Sequence, residues 1–191
     1  IDVLTNAPEL VERLRDYFAG FDEGAGGRPA DLVVRAHQLP EPDLGLEFVE
    51  WSREPGKQKR KEAFFDLPDG RVVHKVRTGM QFGIGQALRV AFGDCLANDN
   101  QVINFVNFQY TSFLMNRGLA LCHAAGVVDR GRGLAMAGIS GAGKSTLALH
   151  AISDGMAFAS NDRLLVGPGA GGIEMTGVPK HPRINPGTAL A

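Results

Sequence analysis

The amino-acid sequence predicts an α/β protein in two parts: an α+β region with an antiparallel sheet, then a domain built around a glycine-rich loop. In the first part, Ala7 to Ala19 has helical spacing, and strand-like segments follow it. In the second, the run Gly138 to Ser145 lies between a short apolar segment and a helical one. We therefore expect residues 1–98 to form the first part, 99–117 a connecting helix and 118–191 the second part.

The first part begins with an amphipathic helix over Ala7 to Ala19, and Thr5 or Asn6 is placed to cap its start. Its apolar positions are Leu10, Val11, Leu14, Tyr17 and Phe18. The run Pro68-Asp69-Gly70 predicts a tight hairpin between two of the strands that follow. The predicted strands are Asp31 to Ala36, Leu44 to Trp51, Ala63 to Leu67 and Arg71 to Arg77.

The connecting segment, Asp99 to Asn116, carries a broad apolar face at helical spacing. Aromatic residues at this spacing more often belong to a core than to a cofactor site. The segment therefore predicts a buried helix that packs against the second part. The apolar positions are Val102, Ile103, Phe105, Val106, Tyr110, Phe113 and Leu114.

The glycine-rich loop has the pattern G-x-x-x-x-G-K-[ST], which binds phosphate through backbone N–H groups and the positive end of the following helix. Lys144 is expected to reach the β- and γ-phosphates of a nucleotide, and Ser145 to hold Mg²⁺. The nucleotide-binding residues predicted from this run are Gly138, Ile139, Ser140, Gly141, Ala142, Gly143, Lys144, Ser145 and Thr146.

The segments on either side of the loop agree with this pattern. Gly133 to Ala137 suits a buried parallel strand, and Ser145 to Asp154 suits a helix that Gly155 would end. The helix residues available for burial are Leu147, Leu149, Ala151 and Ile152.

Asp162 follows Lys144 by 162 − 144 = 18 positions and interrupts an apolar stretch that runs from Met156 to Val166. A carboxylate in a buried element is usually paired or placed beside a metal, because burying it alone is costly. Asp162 is thus a candidate metal ligand together with Ser145. The alternative is structural: Asp162 pairs with Arg163 or caps a turn.

Whole-chain composition excludes several classes. The 191 residues are 44% hydrophobic and 21% charged, with a formal net charge of −1, so we expect neither nucleic-acid nor membrane-surface binding. The basic cluster Lys57 to Lys61 is better explained as a solvated turn. With two cysteines and no signal or spanning segment, a cytoplasmic protein with reduced thiols is expected. Both ends look cut, and we expect the second domain to be truncated at its C-terminus.

Together, His123, the loop and Ser160-Asn161-Asp162 resemble the catalytic domain of HPr kinase/phosphorylase, and more closely the HPr-kinase-related proteins that include HprK-related kinase B. The resemblance covers roughly residues 118–191. It implies a P-loop kinase domain of the HPr kinase/phosphoenolpyruvate carboxykinase type, ATP with Mg²⁺, and phosphoryl transfer to a protein serine. It also implies operation beside an ATP-grasp enzyme, so that the acceptor need not be HPr.

The match assigns roles to individual residues and shows one departure. Asp162 matches the second acid of the family's aspartate pair, but Asn161 stands where the family has the first. A carboxylate of this pair is thought to take the hydroxyl proton in the family, and an amide cannot act as a base. Either Asp162 serves both metal and proton, or His123 helps, or the chemistry differs. His123 can equally be a histidine at a strand end with no catalytic part.

The C-terminal stretch Gly177 to Thr188 combines prolines with basic residues, which suits an extended path carrying cations for phosphate charge. We favour Arg183 over Lys180 as the catalytic cation, because a guanidinium contacts two phosphate oxygens at once. The related proteins carry a similar stretch. The alternative is an exposed linker.

Two other functions remain open. A small-molecule kinase of the shikimate-kinase type also places an acid at a similar distance after the loop lysine, although its loop usually lies near the N-terminus. A non-catalytic ATP-binding regulatory protein would explain Asn161 as lost catalysis. Homo-oligomer formation is also left open by the sequence.

Overall fold

The computed structural model describes residues 1–21, 29–40, 42–51, 61–139 and 141–180. The chain divides into two compact units, Ile1–Gln109 (unit 1) and Tyr110–Ala191 (unit 2). The described residues form a mixed α/β structure that is rich in sheet, with three sheets and three α-helices. None of the helices in these ranges is long and apolar enough to cross a membrane.

Unit 1 contains one seven-stranded sheet in the order β1-β2-β7-β6-β5-β4-β3. Its strands are β1 (Asp2–Thr5), β2 (Val33–Gln38), β3 (Val49–Glu50), β4 (Glu62–Leu67), β5 (Gly70–Lys75), β6 (Gln81–Gly85) and β7 (Arg89–Gly93). Its helices are α1 (Pro8–Phe18) and the larger part of α2 (Asp99–Met115), with a short 3₁₀ turn at Ala19–Phe21.

The sheet is mixed, so the prediction of an antiparallel sheet is wrong at one edge. β1 and β7 both run parallel to β2, whereas the pairs from β7 to β3 are antiparallel. Three further strands were not predicted from the sequence: β1, β6 and β7. All three are short, and β6 and β7 contain glycine. Such segments carry too few alternating positions to stand out.

The strand predicted over Leu44 to Trp51 is reduced to β3. Near its start, Asp43 Oδ1 accepts a hydrogen bond from Gly45 N at 2.9 Å, and Gly45 has a φ of +62°. This local turn competes with strand pairing, as Asp side chains commonly do. The predicted hairpin is confirmed, because β4 and β5 are antiparallel neighbours. Their last pair, Leu67 with Gly70, is connected by a two-residue turn.

Helix α1 has the predicted bounds within a residue at each end, but its predicted cap is wrong. Ala7 is the N-cap and makes no side-chain capping bond. Thr5 Oγ1 instead accepts from Ala7 N at 3.2 Å, and Asn6 exchanges two hydrogen bonds with the backbone of Gln38 on β2. These polar side chains therefore fasten the helix start to the sheet.

Helix α2 contributes its buried apolar residues to the core of unit 1. Val102, Ile103, Phe105 and Val106 pack in one cluster with residues of α1 and of the central strands. That the helix also packs against the second part stays a prediction. The division between the units falls within the helix.

Unit 2 contains two three-stranded antiparallel sheets, ordered β10-β9-β11 and β13-β12-β8. Its strands are β8 (Ala120–Cys122), β9 (Ala124–Asp129), β10 (Arg132–Ala137), β11 (Ala157–Ser160), β12 (Leu164–Gly169) and β13 (Gly172–Gly177). Its own helix, α3 (Lys144–Ser153), packs on β9 with Ala148 buried against Ala125 and Val127.

Strand β10, which leads into the glycine loop, is neither parallel nor buried. It pairs antiparallel with β9, and all its residues except Met136 are exposed. The reason is the turn before it: Arg130 and Gly131 have φ values of +48° and +78°, the conformation of a two-residue hairpin. The order of strand, loop and helix is nevertheless as predicted.

Helix α3 begins one residue earlier than predicted and ends before Gly155, whose φ of +97° confirms it as the terminating glycine. Its buried face differs from the prediction. Leu147 is exposed, and Ala148 is the buried residue, with Ala151 and Ile152 packed beside it. The small size of Ala148 permits close contact of the helix with β9.

Gly177 at the end of β13 provides a direct test of the packing between the two sheets of unit 2. A Cβ atom there would lie 1.9 Å from the backbone oxygen of Ala159 on β11. We expect Gly177→Ala to lower the free energy of unfolding by about 2 kcal/mol, since backbone must move. Urea unfolding, monitored by hydrogen exchange of amides in unit 2, measures the change in the free energy of unfolding.

The control is Gly171→Ala, because a Cβ atom there meets nothing within 4 Å. We expect that variant to unfold at the wild-type urea concentration within experimental error. Equal stabilities for the two variants would contradict the tight approach of β13 to β11.

Candidate functional site

The glycine loop connects β10 to α3 and adopts a conformation that depends on its glycines. Gly141 and Gly143 have φ values of +83° and +79°, the left-handed region in which a side chain is strained. Ala142 N donates to Ile139 O at 3.2 Å and closes a turn. Gly143 is the N-cap of α3 and offers no side-chain cap. The predicted residue Ser140 lies outside the described residues.

The side chain of Lys144 folds back over this loop. Its Nζ donates to the backbone oxygens of Gly138 at 2.8 Å and Ile139 at 3.0 Å. The ammonium is therefore held beside the loop, where an anion bound by the loop would meet it. In this arrangement the carbonyl groups of the loop neutralise part of its charge.

The polar residues after β11 form a corner between the two sheets. The sequence placed them inside one continuous strand, but β11 and β12 belong to different sheets. Ser160 Oγ stabilises the corner by accepting from the N–H groups of Asp162 at 3.4 Å and Arg163 at 3.2 Å. The corner therefore needs polar residues for its own geometry, apart from any ligand.

The corner is joined to the start of α3 by one hydrogen bond. Ser145 Oγ donates to the backbone oxygen of Asn161 at 3.2 Å. The Asn161 side chain is buried, and its Oδ1 has no hydrogen-bond partner among the described residues. A buried amide oxygen without a partner is costly, so this atom is suited to an additional donor or cation.

The Asp162 carboxylate lies between two basic side chains. Its Oδ2 accepts from Lys180 Nζ at 2.8 Å, and its Oδ1 is 3.3 Å from His123 Nε2. The hydrogen bond from Lys180 is the main reason why the pKa of Asp162 is lowered. Burial opposes the shift, and the charges of Lys180, Arg163 and His123 support it.

A pocket of about 350 Å³ opens beside this carboxylate and is lined by Leu121, Cys122, His123, Asp162 and Arg163. His123 stands at the bend between β8 and β9 with two thirds of its side chain exposed. The pocket thus presents an imidazole and a carboxylate to solvent, next to the corner that holds Ser145.

Several of the predicted site residues meet here. Ser145, Asn161, Asp162 and His123 form a connected set of contacts, with Lys144 directly before Ser145 in the chain. Arg183, predicted as the catalytic cation, lies outside the described residues. Thr146 lies on α3 and is half-buried.

From the sequence, Arg183 was favoured over Lys180, and this preference stays a prediction because Arg183 lies outside the described residues. Leu121 and Cys122 were not predicted as lining residues, and Arg163 was considered only as a partner of Asp162. Lys180 follows β13 after Val178 and Pro179, and Val178 is buried. The sequence signal for the position of Lys180 is that this basic residue comes shortly after a strand and an apolar valine.

The oxygen atoms of the corner are of the chemical type that Mg²⁺ binds. Magnesium prefers oxygen ligands and commonly takes only one or two from the protein, with water and phosphate supplying the others. Here the oxygens are the Asp162 carboxylate, the Ser145 hydroxyl and the unpartnered Oδ1 of Asn161. Among the residues placed in the structure, no cluster of three or more His, Cys, Asp or Glu side chains could hold a metal.

No protein-family model matches the chain, and neither the curated proteins nor the solved structures include a match.

The ion pair of Asp162 makes a testable prediction about its ionisation. We expect Lys180→Met to raise the pKa of Asp162 toward the ordinary value of about 3.9, because the strongest hydrogen bond to the carboxylate is lost. A pH titration of the carboxyl ¹³C resonance measures this. Arg163→Met is the control and should cause a smaller rise, since Arg163 acts through charge alone.

The same lowered pKa has a consequence for stability, with a defined sign. A carboxyl group with a lower pKa in the folded state stabilises the fold above its unfolded pKa and loses that contribution as pH falls through the folded pKa. The stability difference between wild type and Lys180→Met should therefore shrink below about pH 4. A difference that grows in acid would contradict the ion pair.

Proposed function

We propose that this protein is an ATP-dependent kinase that transfers the γ-phosphate to a hydroxyl group, on a protein serine as in HPr kinase. One observation carries the proposal: the glycine loop and its lysine are joined through Ser145 to a corner that presents Asp162. A phosphate-binding group and a carboxylate at close range are what phosphoryl transfer requires.

The residues divide the work by charge. Lys144 and the backbone N–H groups of the loop bind the phosphates, since they supply positive charge at the start of α3. Ser145 and Asp162 would hold Mg²⁺, which would supply positive charge to neutralise the phosphates. In the ligand-free protein, the ammonium of Lys180 supplies the positive charge beside Asp162.

The proposed proton acceptor is His123. Asn161 has an amide and cannot accept a proton as a base. The Nε2 atom of His123 faces Asp162 Oδ1, so Nε2–H donation to the carboxylate leaves Nδ1 as the acceptor atom. A neutral imidazole held in one tautomer by a carboxylate is a common arrangement for accepting a hydroxyl proton. The exposed position of His123 gives a protein hydroxyl access to it.

A non-catalytic ATP-binding regulatory protein is the second candidate, and one observation favours it. Asn161 is buried at the position of the family's first acid, and the remaining acid, Asp162, is already ion-paired. Nucleotide binding without phosphate transfer to any protein or metabolite would decide for this candidate.

The proposed acceptor is a protein serine, with an ATP-grasp-type enzyme as the partner that the resemblance implies. Cytoplasmic location is part of the same proposal. Incubation with γ-labelled ATP and candidate proteins identifies the acceptor through its label.

The first prediction concerns the loop lysine. We expect Lys144→Ala to weaken ATP binding at least 100-fold, because the ammonium held at the loop carbonyls is lost from the phosphate position. Isothermal titration with a non-hydrolysable ATP analogue measures the affinity. Lys61→Ala, which removes an exposed lysine from unit 1, should leave it unchanged. Undiminished affinity in Lys144→Ala would remove the central claim.

The second prediction separates proton transfer from binding. We expect His123→Ala to lower kcat for phosphate transfer about 100-fold, a usual contribution of a general base, while affinity for the ATP analogue changes less than about threefold. The rate at which label moves from γ-labelled ATP to the acceptor protein measures kcat. His150→Ala, which removes an exposed histidine from α3, is the control. Full transfer by His123→Ala would contradict the role of His123 as proton acceptor.

A further inference from the structure

Lys180 occupies the place beside Asp162 where a cation is needed. Its Nζ lies 2.8 Å from Asp162 Oδ2, and a quarter of its side chain is exposed. The chain reaches this position from β13 through Val178, which is buried and anchors the segment. The ammonium is thus held by covalent connection close to the carboxylate, with enough solvent access to leave it.

The ion pair conflicts with direct metal binding at the same oxygen. Mg²⁺ takes oxygen ligands at about 2.0–2.1 Å, and a carboxylate oxygen that accepts from an ammonium has a second cation beside it. Two cations at one oxygen repel each other. Asp162 Oδ2 can therefore serve Lys180 or a divalent cation fully, but not both together, and Oδ1 already faces His123.

Two neighbouring groups are also bound to other parts of the protein. Lys144 Nζ is bound to the carbonyls of its own loop, and Ser145 Oγ donates to the backbone of Asn161. Lys144, Ser145 and Asp162 are therefore each paired within the protein. Of these contacts, the one between Lys180 and Asp162 joins two full charges, so its loss changes the charge at the site most.

We propose that Lys180 is a displaceable counter-ion. In the ligand-free protein it neutralises Asp162, and it leaves the carboxylate when a divalent cation arrives with a nucleotide. The released ammonium then contacts a phosphate oxygen, since the nucleotide brings negative charge into reach of the same side chain. This proposal rests on the proposed function. It adds an exchange of cations at Asp162 and a phosphate contact for Lys180.

The exchange is tested by two affinities of the full chain measured separately. The first is that of the ligand-free protein for Mn²⁺, measured by electron paramagnetic resonance of the free ion. Lys180→Met should bind Mn²⁺ about fivefold more tightly, because a partly exposed ion pair no longer competes. The second is that of Mn²⁺ with a non-hydrolysable ATP analogue. There, Lys180→Met should bind about fivefold more weakly, because the phosphate contact is missing.

Two further variants control the result. Lys61→Met removes the same charge from an exposed position in unit 1 and should change neither affinity. Lys180→Arg retains a cation and should shift both affinities less than Lys180→Met does. Circular dichroism of each variant verifies that the fold is retained, and Lys180→Arg carries the test if Lys180→Met does not fold.

The outcomes separate the exchange from the proposed function. Unchanged or weaker Mn²⁺ binding by ligand-free Lys180→Met overturns the exchange, whatever the nucleotide does. Equal binding of the metal nucleotide by wild type and Lys180→Met overturns the phosphate contact. Absence of nucleotide binding in the wild type overturns the proposed function, while tighter Mn²⁺ binding by the variant still supports the counter-ion.

Discussion

The close approach of β13 to β11 is the constraint on which the candidate site depends. Gly177 lies so near the backbone of Ala159 that any side chain would collide with it. This contact brings the end of one sheet of unit 2 against the end of the other. The corner after Ser160 and the segment after Gly177 start from this place, so Asp162 and Lys180 meet although they are distant in sequence.

The electrostatics of the site follow from that meeting. A single carboxylate, that of Asp162, faces Lys180, His123 and Arg163. The loop adds a further positive charge with Lys144, the residue directly before Ser145. Positive groups thus outnumber the negative one, which favours an anionic ligand. The Asp162 carboxylate lies between the basic side chains and reduces the repulsion among them.

The sequence predicted the local features well, because their causes are local. The loop is specified by glycines that adopt positive φ, and α3 ends at Gly155 for the same reason. The hairpin of β4 and β5 follows from its turn residues. The direction of β10 also had a local cause, the turn at Arg130 and Gly131, but the expectation of a parallel strand before a glycine loop outweighed that signal. The turn residues alone therefore predict an antiparallel β10.

The contacts between distant residues could not be predicted in this way. Nothing in the local sequence of Lys180 indicates Asp162 as its partner, because their distance depends on how two sheets meet. The packing of α2 in the core of unit 1 likewise depends on the sheet opposite it. The preference for Arg183 came from guanidinium geometry alone, whereas the position of Lys180 follows from the path of β13.

The bond from Ser145 to the corner has a consequence for substitutions at position 161. Ser145 Oγ donates to the backbone oxygen of Asn161, and every amino acid offers that oxygen. The link between helix and corner is therefore indifferent to the side chain at position 161. A carboxylate or an amide at position 161 therefore leaves this bond unchanged. Substitution at position 161 can change what the side chain contacts while the attachment of α3 to the corner is kept.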